Sequence, residues 1–298
     1  MRAAQLAADF AIADTLEFAE TADGLVKAAI TLGDATGELF LQGAQVTHWA
    51  PAGARPVIFT SPRSAFAPGK AIRGGIPVIF PWFGPNRVVP TAPQHGFART
   101  MAWTLQGVEH GARTLTLRLA LEDDAATAAL WPERFRAEYE VTFGPTLGLR
   151  LSVHNRSPRA VAFEEALHSY FTVSDVRQVS VSGLDECRFI DKTDATRRKQ
   201  QSGPVTLAGE TDSVYLDTPA RCVLADPGWG RRIVIDKGDA ASTIVWNPWA
   251  EKARAMADLG EDAWPGMVCV ETGNAADNQI MIPPGGTHAM STVIAIDD

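Results

Sequence analysis

The chain has few cysteines and no long apolar run. Its three cysteines, Cys187, Cys222 and Cys269, are scattered and show no CxxC or Cys/His metal-ligand spacing, which fits free thiols in a reducing compartment. No stretch of about 18 uncharged apolar residues has the pattern of a membrane-spanning helix. Asp9 and Asp14 interrupt the N-terminal segment where a signal peptide needs an apolar core. We therefore expect a cytoplasmic protein that does not insert into a membrane.

The chain also lacks an excess of positive charge. Its 298 residues carry 27 Lys and Arg against 35 Asp and Glu, a formal net charge of −8. Such a balance argues against nonspecific binding to nucleic acid or to anionic membranes. The nucleotide-loop patterns GxGxxG and GxxxxGKS, the zinc-protease pattern HExxH and the hydrolase pattern GxSxG are all absent. We expect a small-molecule ligand, and any anion must meet a local cluster of arginines.

Apolar and polar residues alternate along most of the chain, which is typical of β-strands with one buried face. The predicted strands cover 25–31, 38–42, 103–109, 115–121, 137–143, 147–153, 160–172, 177–182, 221–225, 231–236, 242–246, 266–271 and 287–296. A short helix is predicted at 123–130, and a second one is capped by Asn247, begins at Pro248 and ends at Gly260. Many short strands, few helices and no βαβ alternation predict an all-β fold, a large antiparallel sandwich.

No composition shift, repeat or low-complexity linker marks a domain boundary, so we predict a single domain over residues 1–298. Two segments, 60–100 and 190–212, are too long to be simple turns. Long ordered loops on a β scaffold often carry the functional residues.

The first of these loops contains two arginines in unusual surroundings. Arg73 begins an RGGIP run, and glycines beside an arginine allow close backbone approach while the guanidinium forks onto an anion. Further along, Gln94, His95 and Arg99 offer an amide, an imidazole and a second guanidinium. Two arginines from separate segments can clamp a phosphate. By composition alone, a proline-rich surface loop with solvated charges is the commoner explanation.

Two further residues are candidate proton carriers. His168 lies in the largely apolar stretch 160–172, so its imidazole is either an enclosed structural group or a proton carrier, and the structural role is commoner for a lone strand histidine. Glu271 ends an apolar strand, where an unpaired carboxylate is costly to bury and needs a partner or a task. A strand-end glutamate that faces water is equally common.

Three other positions have weaker signals. Asp212 is a candidate acceptor for sugar hydroxyl groups, although an Asx-turn is the simpler role. Trp246 borders either a pocket or the entry of the following helix. Asp191 and Lys192 are predicted to form an exposed ion pair of little energetic value.

Taken together, these segments resemble the aldose 1-epimerase-like superfamily and, within it, the hexose-6-phosphate mutarotases, also called glucose-6-phosphate 1-epimerases. The matching blocks run from about residue 55 to the C-terminus: AIRGGIPVIFPWFG, QHGFAR, WPERFRAEYEV, FEEALHSYF, RFIDK, ETDSVY, VWNPW and MVCVETGN. The resemblance implies a galactose mutarotase-like supersandwich with a few short helices. It also implies an isomerase that interconverts the α and β anomers of D-glucose 6-phosphate and related hexose 6-phosphates, without cofactor or metal.

The resemblance also implies roles for individual residues. Glu271 and His168 act as base and acid on opposite sides of the ring, one taking the C1 hydroxyl proton and the other protonating the ring oxygen. The implied substrate contacts are Arg73, Gln94 and Arg99 towards the phosphate, Asp212 towards a hydroxyl, and His95 within the pocket. Glu164 and Glu165 depart from the expected pattern, and at most one of them can share the face of His168, because strand side chains alternate.

Two other functions stay open. One is a mutarotase for non-phosphorylated aldoses, against which the paired arginines argue. The other is a noncatalytic carbohydrate-binding module, which stays open because fold alone does not settle function. The presence of both candidate proton carriers argues against it. We expect a hexose 6-phosphate as the only partner, no nucleic acid or membrane, and a monomer.

Overall fold

The computed structural model describes residues 2–218 and 221–297, and β-strands are much more abundant than helices among them. The helices are α1 (Ala3–Phe10), α2 (Ala125–Leu130) and α3 (Trp249–Ala255), with single 3₁₀ turns at Ala98–Thr100, Trp264–Gly266 and Ala276–Asn278. The strands are β1 (Leu16–Glu20), β2 (Val26–Leu32), β3 (Ala35–Phe40), β4 (Gln45–Ala50), β5 (Val78–Ile79), β6 (Thr104–His110), β7 (Leu115–Glu122), β8 (Phe135–Phe143), β9 (Leu147–Asn155), β10 (Val161–Phe163), β11 (Glu165–Leu167), β12 (Tyr170–Thr172), β13 (Ser180–Ser182), β14 (Arg188–Asp191), β15 (Arg197–Gln200), β16 (Val205–Thr206), β17 (Thr211–Tyr215), β18 (Cys222–Asp226), β19 (Arg231–Gly238), β20 (Ser242–Asn247), β21 (Met267–Asn274), β22 (Ile280–Ile282) and β23 (Thr287–Asp297).

Two large sheets dominate the described part of the chain. One has nine strands in the order β16-β13-β18-β19-β23-β9-β8-β7-β6. The other has eight, in the order β15-β14-β17-β20-β21-β11-β5, with β12 also paired to β21. A four-stranded sheet, β1 to β4, and the pair β10-β22 complete the set. All of these strand pairs are antiparallel, so the predicted all-β antiparallel architecture is confirmed.

The core forms where the two large sheets face each other. In β9, Leu147, Leu149, Leu151 and Val153 are buried, whereas the residues between them are partly or fully exposed. Their side chains join one buried cluster with Val268 and other residues from the eight-stranded sheet. Each fully buried side chain of this size contributes about 1.5–3 kcal/mol. The alternation seen in the sequence therefore sets which face of each strand enters the core.

Several local predictions need correction. The segment 190–212 is not a loop, because it contains β15 and β16 and the start of β17. The predicted strand 160–172 is divided into β10, β11 and β12. Its second break falls at His168, whose N–H donates to the carbonyl of Pro77 at 3.0 Å. Pro77 has no N–H to return a bond, so the ladder with β5 stops there.

The ends of the chain's helices also differ from prediction. α3 stops at Ala255, five residues before Gly260, because Met256 is already extended with φ −98° and ψ 91°. Asn247 does accept a hydrogen bond from the N–H of Trp249, at 2.8 Å. The N-terminal segment forms α1 and β1, which the strand pattern did not reveal. Among the described residues, no helix combines the length and apolar character needed to cross a bilayer.

Candidate active site

His168 and Glu271 are neighbours across two strands of the eight-stranded sheet. β11 and β12 pair with β21 in a single register, in which Leu167 faces Thr272 and Tyr170 faces Cys269. That register places His168 directly opposite Glu271. Residues directly opposite each other in an antiparallel pair point to the same face with their side chains in contact distance. The convergence of two residues that lie far apart in the chain thus follows from strand pairing.

The same register carries further polar groups to this face. Ile244 in β20 lies opposite Glu271, and Asp212 in β17 lies opposite Trp246. Because side chains two residues apart share a face, Trp246 and Asp212 lie on the side of the sheet that holds Glu271. The opposite side of these strands enters the core, as Val245 and Val270 do.

The loop after β4 covers this face and is held by backbone contacts. The N–H of Tyr170 donates to the carbonyl of Gly75 at 3.0 Å. Gly75 has φ +70°, and a Cβ there would lie 2.4 Å from the carbonyl oxygen of Val46. Gly74 is equally constrained, by Phe59 and Thr60. These glycines let the loop pack closely on neighbouring backbone and leave the side chain of Arg73 beside the cavity. That they also let backbone approach a ligand stays a prediction.

A cavity of about 190 Å³ opens between the loop and the sheet. Its lining includes all seven residues predicted from sequence: Arg73, Gln94, His95, Arg99, His168, Asp212 and Glu271. The remaining lining residues are Phe83, Tyr170, Lys192, Ile244, Trp246, Lys252 and Met256. The structure therefore brings the predicted residues together, although their individual roles stay predictions.

His168 and Glu271 form a close pair at the buried floor of this cavity. Nδ1 of His168 lies 3.3 Å from Oε1 of Glu271, and the residues are 7% and 1% exposed. His168 Nδ1 and Glu271 Oε2 have no hydrogen-bond partner among the described residues. Buried polar atoms are rarely left unpaired without a reason. The close contact between Nδ1 and Oε1 makes each group the other's nearest polar neighbour in this buried position.

Burial moves the pKa values of the two groups in opposite directions. It raises the pKa of Glu271 well above its usual value, assisted by Asp212, although Lys192 and Arg99 act against this. It lowers the pKa of His168 well below its usual value, assisted by the charges of Arg99 and Arg73. In the unliganded site a single shared proton is therefore favoured on Glu271.

The two groups also lie on the same wall of the cavity. Their contact at 3.3 Å differs from the arrangement expected from the chemistry, in which an acid and a base act from opposite sides of the ring. The geometry still suits the chemistry, because the C1 hydroxyl and the ring oxygen are both bonded to C1 and are reached together from one side.

At one end of the cavity, Arg73 is held by two partners. Its Nε donates to Oδ2 of Asp258 at 3.0 Å, and Nη2 lies 2.9 Å from the same oxygen. Its Nη1 donates to the hydroxyl of Tyr170 at 3.1 Å. Burial alone would lower the pKa of Arg73, but Tyr170 and Asp258 outweigh it and the pKa is raised. Arg73 is therefore a fixed cation.

At the other end, Lys192 lies over the ring of Phe83, with Nζ 4.4 Å from the ring centre. Nζ is also 3.6 Å from Oδ1 of Asp212. The predicted ion pair between Asp191 and Lys192 is wrong: Asp191 pairs instead with Lys199 at 2.7 Å. Adjacent residues at a strand end point to opposite faces, so alternation argued against that pair from the start.

His95 and Arg99 lie between these ends. The ring of His95 is 5.7 Å from that of His168, and its Nδ1 accepts a hydrogen bond from the N–H of Gly84 at 3.3 Å. Burial, with nearby Arg99 and Lys192, lowers the pKa of His95 to about 3. A neutral ring that accepts at Nδ1 carries its proton on Nε2. His95 can thus donate one hydrogen bond.

Arg99 keeps part of its hydrogen-bonding capacity. Its Nη2 donates to the carbonyl of Gln94 at 2.8 Å, while its buried Nε has no partner among the described residues. Burial lowers the pKa of Arg99, although a guanidinium stays protonated in proteins. Gln94 is exposed at the cavity edge.

Neither Glu164 nor Glu165 adds charge to the cavity. Glu164 accepts hydrogen bonds from the backbone N–H groups of Phe83, at 3.0 Å, and Ala276, at 2.7 Å. Glu165 points to the other face and lies 3.0 Å from Nε2 of His288. The two carboxylates thus bind neighbouring parts of the scaffold, and neither lines the cavity.

Sequence reasoning missed Tyr170 and Lys192, and left Trp246 undecided. For Tyr170 a signal existed, since it lies two residues after His168 and so shares its face. Lys192 had no comparable signal, because only the pairing of β14 with β17 brings it to the cavity.

Comparison with known proteins points in one direction. A sequence profile of the aldose 1-epimerase family matches residues 29–295. A protein of Cenchrus ciliaris named "Putative glucose-6-phosphate 1-epimerase" is 33% identical over 296 residues, covering 93% of this chain and 88% of that protein. A protein of Escherichia coli K12 with the same name is 35% identical over 254 residues, covering 85% and 84%.

A solved structure agrees over nearly the whole chain. The crystal structure of "a putative mutarotase (YeaD)" from Salmonella typhimurium superposes with a TM-score of 0.91 at 30% identity, covering 97% of this chain and 96% of that one. The resemblance drawn from the motif blocks is confirmed by these matches.

Proposed function

This chain belongs to the aldose 1-epimerase family, and we propose that it interconverts the α and β anomers of hexose 6-phosphates, with D-glucose 6-phosphate as the first substrate to test. One observation carries the proposal: His168 and Glu271 lie 3.3 Å apart in a cavity that Arg73, Arg99 and Lys192 also line. The names of the relatives support the same substrate class.

The reaction needs one acid and one base that exchange roles. One member of the pair takes the proton of the C1 hydroxyl while the other protonates the ring oxygen, and the bond from C1 to the ring oxygen breaks. The aldehyde turns about the C1–C2 bond, and the ring closes as the two protons return. Each proton transfer contributes about 10²–10⁴-fold to the rate.

The shared proton explains why the pair suits this cycle. Ring opening moves the pair's proton from one member to the other, and ring closure returns it. The pair must therefore hold one proton throughout, which its buried contact favours, since a second charge would be costly in this environment. Activity should fall both at low pH, where a second proton binds, and at high pH, where the single proton is lost.

The positively charged side chains around the cavity favour a phosphorylated substrate. Arg73 and Arg99 come from the segment 60–100, and Lys192 comes from the turn that follows β14. A fixed guanidinium with free N–H groups binds phosphate oxygens well. Exchange spectroscopy by NMR would test this with D-glucose 6-phosphate, free glucose and free galactose, with faster exchange expected for the phosphorylated sugar.

Arg73→Ala gives a second test of the same point. We expect it to weaken the affinity for hexose 6-phosphate by at least tenfold more than for the free hexose, since it removes a charged hydrogen-bonding group. Equal losses for both sugars would remove Arg73 as a phosphate ligand.

A second candidate is a mutarotase for non-phosphorylated aldoses. It is favoured by the carboxylates that already contact three of the cations: Asp258 on Arg73, Glu210 on Lys252 and Asp212 on Lys192. Equal or faster exchange of free sugar would support it. Sugar binding without any exchange would indicate a binding module instead.

A further inference from the structure

Tyr170 contacts both His168 of the proposed catalytic pair and Arg73 at one end of the cavity. Its ring stacks on the imidazole of His168, with ring centres 4.8 Å apart and an angle of 13°. Its other neighbour is Trp246, edge-on at 5.9 Å and 71°. Contacts on two sides leave the ring little freedom, so the position of its hydroxyl group is set before a ligand arrives.

The hydrogen bond from Arg73 determines what that hydroxyl can do. Nη1 of Arg73 is the donor and the Tyr170 oxygen is the acceptor, because a guanidinium can only donate. The hydroxyl group of Tyr170 can still donate its own proton, and no acceptor for it exists among the described residues. Burial raises the pKa of Tyr170 above its usual value, against the effect of Arg73, so the proton stays on the oxygen.

Asp258 fixes the direction of the guanidinium beside it. The contacts of Asp258 with Nε and Nη2 occupy one edge of Arg73. One N–H on each terminal nitrogen stays free of a partner within the described residues. Together with the hydroxyl of Tyr170, these N–H groups make a set of donors next to the cavity for which residues 2–218 and 221–297 supply no acceptor.

We propose that Tyr170 is a specificity-determining residue whose hydroxyl donates a hydrogen bond to the phosphoryl group of the substrate, beside the guanidinium of Arg73. The inference rests on the proposed function and adds a residue to it. A neutral donor next to a guanidinium favours a phosphate oxygen over a sugar hydroxyl, because hydrogen bonds to charged groups are the stronger ones. Its place against His168 also fixes how far the phosphate lies from the proton carriers.

Tyr170→Phe is the direct test, because it removes one oxygen and keeps the stacked ring. We expect the KM for D-glucose 6-phosphate and the inhibition constant of inorganic phosphate to rise about tenfold, as for loss of one hydrogen bond to a charged group. The kcat/KM for free glucose should change less than twofold. Tyr215→Phe is the matched control: its hydroxyl donates to Gln201 at 2.8 Å on the opposite face of the sheet, and its kinetics should match the wild type.

A variant that lacks Arg73 distinguishes a direct contact between Tyr170 and phosphate from an indirect effect of Tyr170 on Arg73. In an Arg73→Met/Asp258→Asn protein, which keeps the net charge, adding Tyr170→Phe should still raise the inhibition constant of phosphate. If the effect disappears in this background, Tyr170 only holds Arg73 and the inference is overturned. It is equally overturned if Tyr170→Phe slows free and phosphorylated sugars alike with a shifted pH profile, since the hydroxyl would then act through His168.

The outcome for the wild-type protein keeps the two proposals apart. A wild type that does not prefer the phosphorylated sugar contradicts the proposed function before any variant is made. A wild type that does prefer it, with Tyr170→Phe unchanged in every constant, contradicts only the role of Tyr170.

Discussion

Two carboxylate–imidazole pairs lie on opposite faces of the eight-stranded sheet, with their carboxylates in the neighbouring strands β21 and β11. Glu271 and His168 line the cavity at 3.3 Å. Glu165 lies opposite Asn274, three residues from Glu271 in β21, and its Oε1 is 3.0 Å from Nε2 of His288 in the nine-stranded sheet. The first pair borders the cavity, and the second joins the two sheets across the core.

The surroundings of the pairs shift the imidazoles in opposite directions. Burial alone would lower the pKa of His288, but the hydrogen bond and charge of Glu165, with Asp239, raise it above the usual value. His168 is buried beside Arg73 and Arg99, and its pKa is lowered. The same two side-chain types at similar distances thus have the imidazole pKa raised in one place and lowered in the other.

The largest expected effect comes from breaking the cavity pair. Glu271→Gln and His168→Ala should each slow anomer exchange by about 10²–10⁴-fold, because one of the two proton carriers is lost. Both should fold normally, which circular dichroism and thermal melting would show. Exchange at the wild-type rate in either variant would refute the assignment of the catalytic pair.

Breaking the core pair should instead cost stability. His288→Leu removes the imidazole beside the carboxylate of Glu165, which is 0% exposed and, within the described residues, keeps only the hydrogen bond from Asn274. We expect a loss of about 3–5 kcal/mol in the free energy of unfolding, measured in urea. The exchange rate per folded molecule should stay within about twofold, since this residue touches no part of the cavity. A rate loss as large as that of His168→Ala would show that the pairs are not distinct.

Replacing the carboxylate of the core pair should cost less stability than replacing its imidazole. Glu165→Gln leaves an imidazole that can release its proton and so avoid a buried charge. The expected loss in urea unfolding is therefore smaller, about 1–2 kcal/mol, close to that of a buried hydrogen bond. Equal losses for Glu165→Gln and His288→Leu would contradict an ion pair at this position.

The smallest expected effect is on how stability depends on pH, because the two histidines should contribute to the free energy of unfolding with opposite pH dependence. A raised pKa means that His288 stabilises the fold below its unfolded value of 6.5 and loses this contribution as the pH rises through the folded pKa. A lowered pKa means that the contribution of His168 is present above 6.5 and is lost as the pH falls below it.

Melting curves across this range should separate the two histidines. The stability gap between wild type and His288→Leu should shrink towards high pH, and that between wild type and His168→Ala towards low pH. Each change should be on the order of 1 kcal/mol. Gaps that move in the same direction would mean that the two environments are alike.

Some of the site could be predicted because it follows from local pattern. Asp212 and Glu271 stood out as polar residues in or beside apolar strands, and the motif blocks grouped them with Arg73 and Arg99. Tyr170 was equally local, two residues from His168, but its value depends on Arg73 donating to it. That contact joins residues 97 positions apart, and the periodicity of strands or helices does not predict contacts at such a separation.

Alternation acts over neighbouring residues, so the sequence was enough to predict many of the longer strands, their buried faces and the antiparallel architecture. It also determined which reactive groups were available. The folded chain was needed to show that the pKa of His168 is lowered beside Glu271, that the pKa of His288 is raised beside Glu165, and that Lys192 faces the cavity. Those outcomes depend on burial and on charges brought close through space, which are properties of the folded chain.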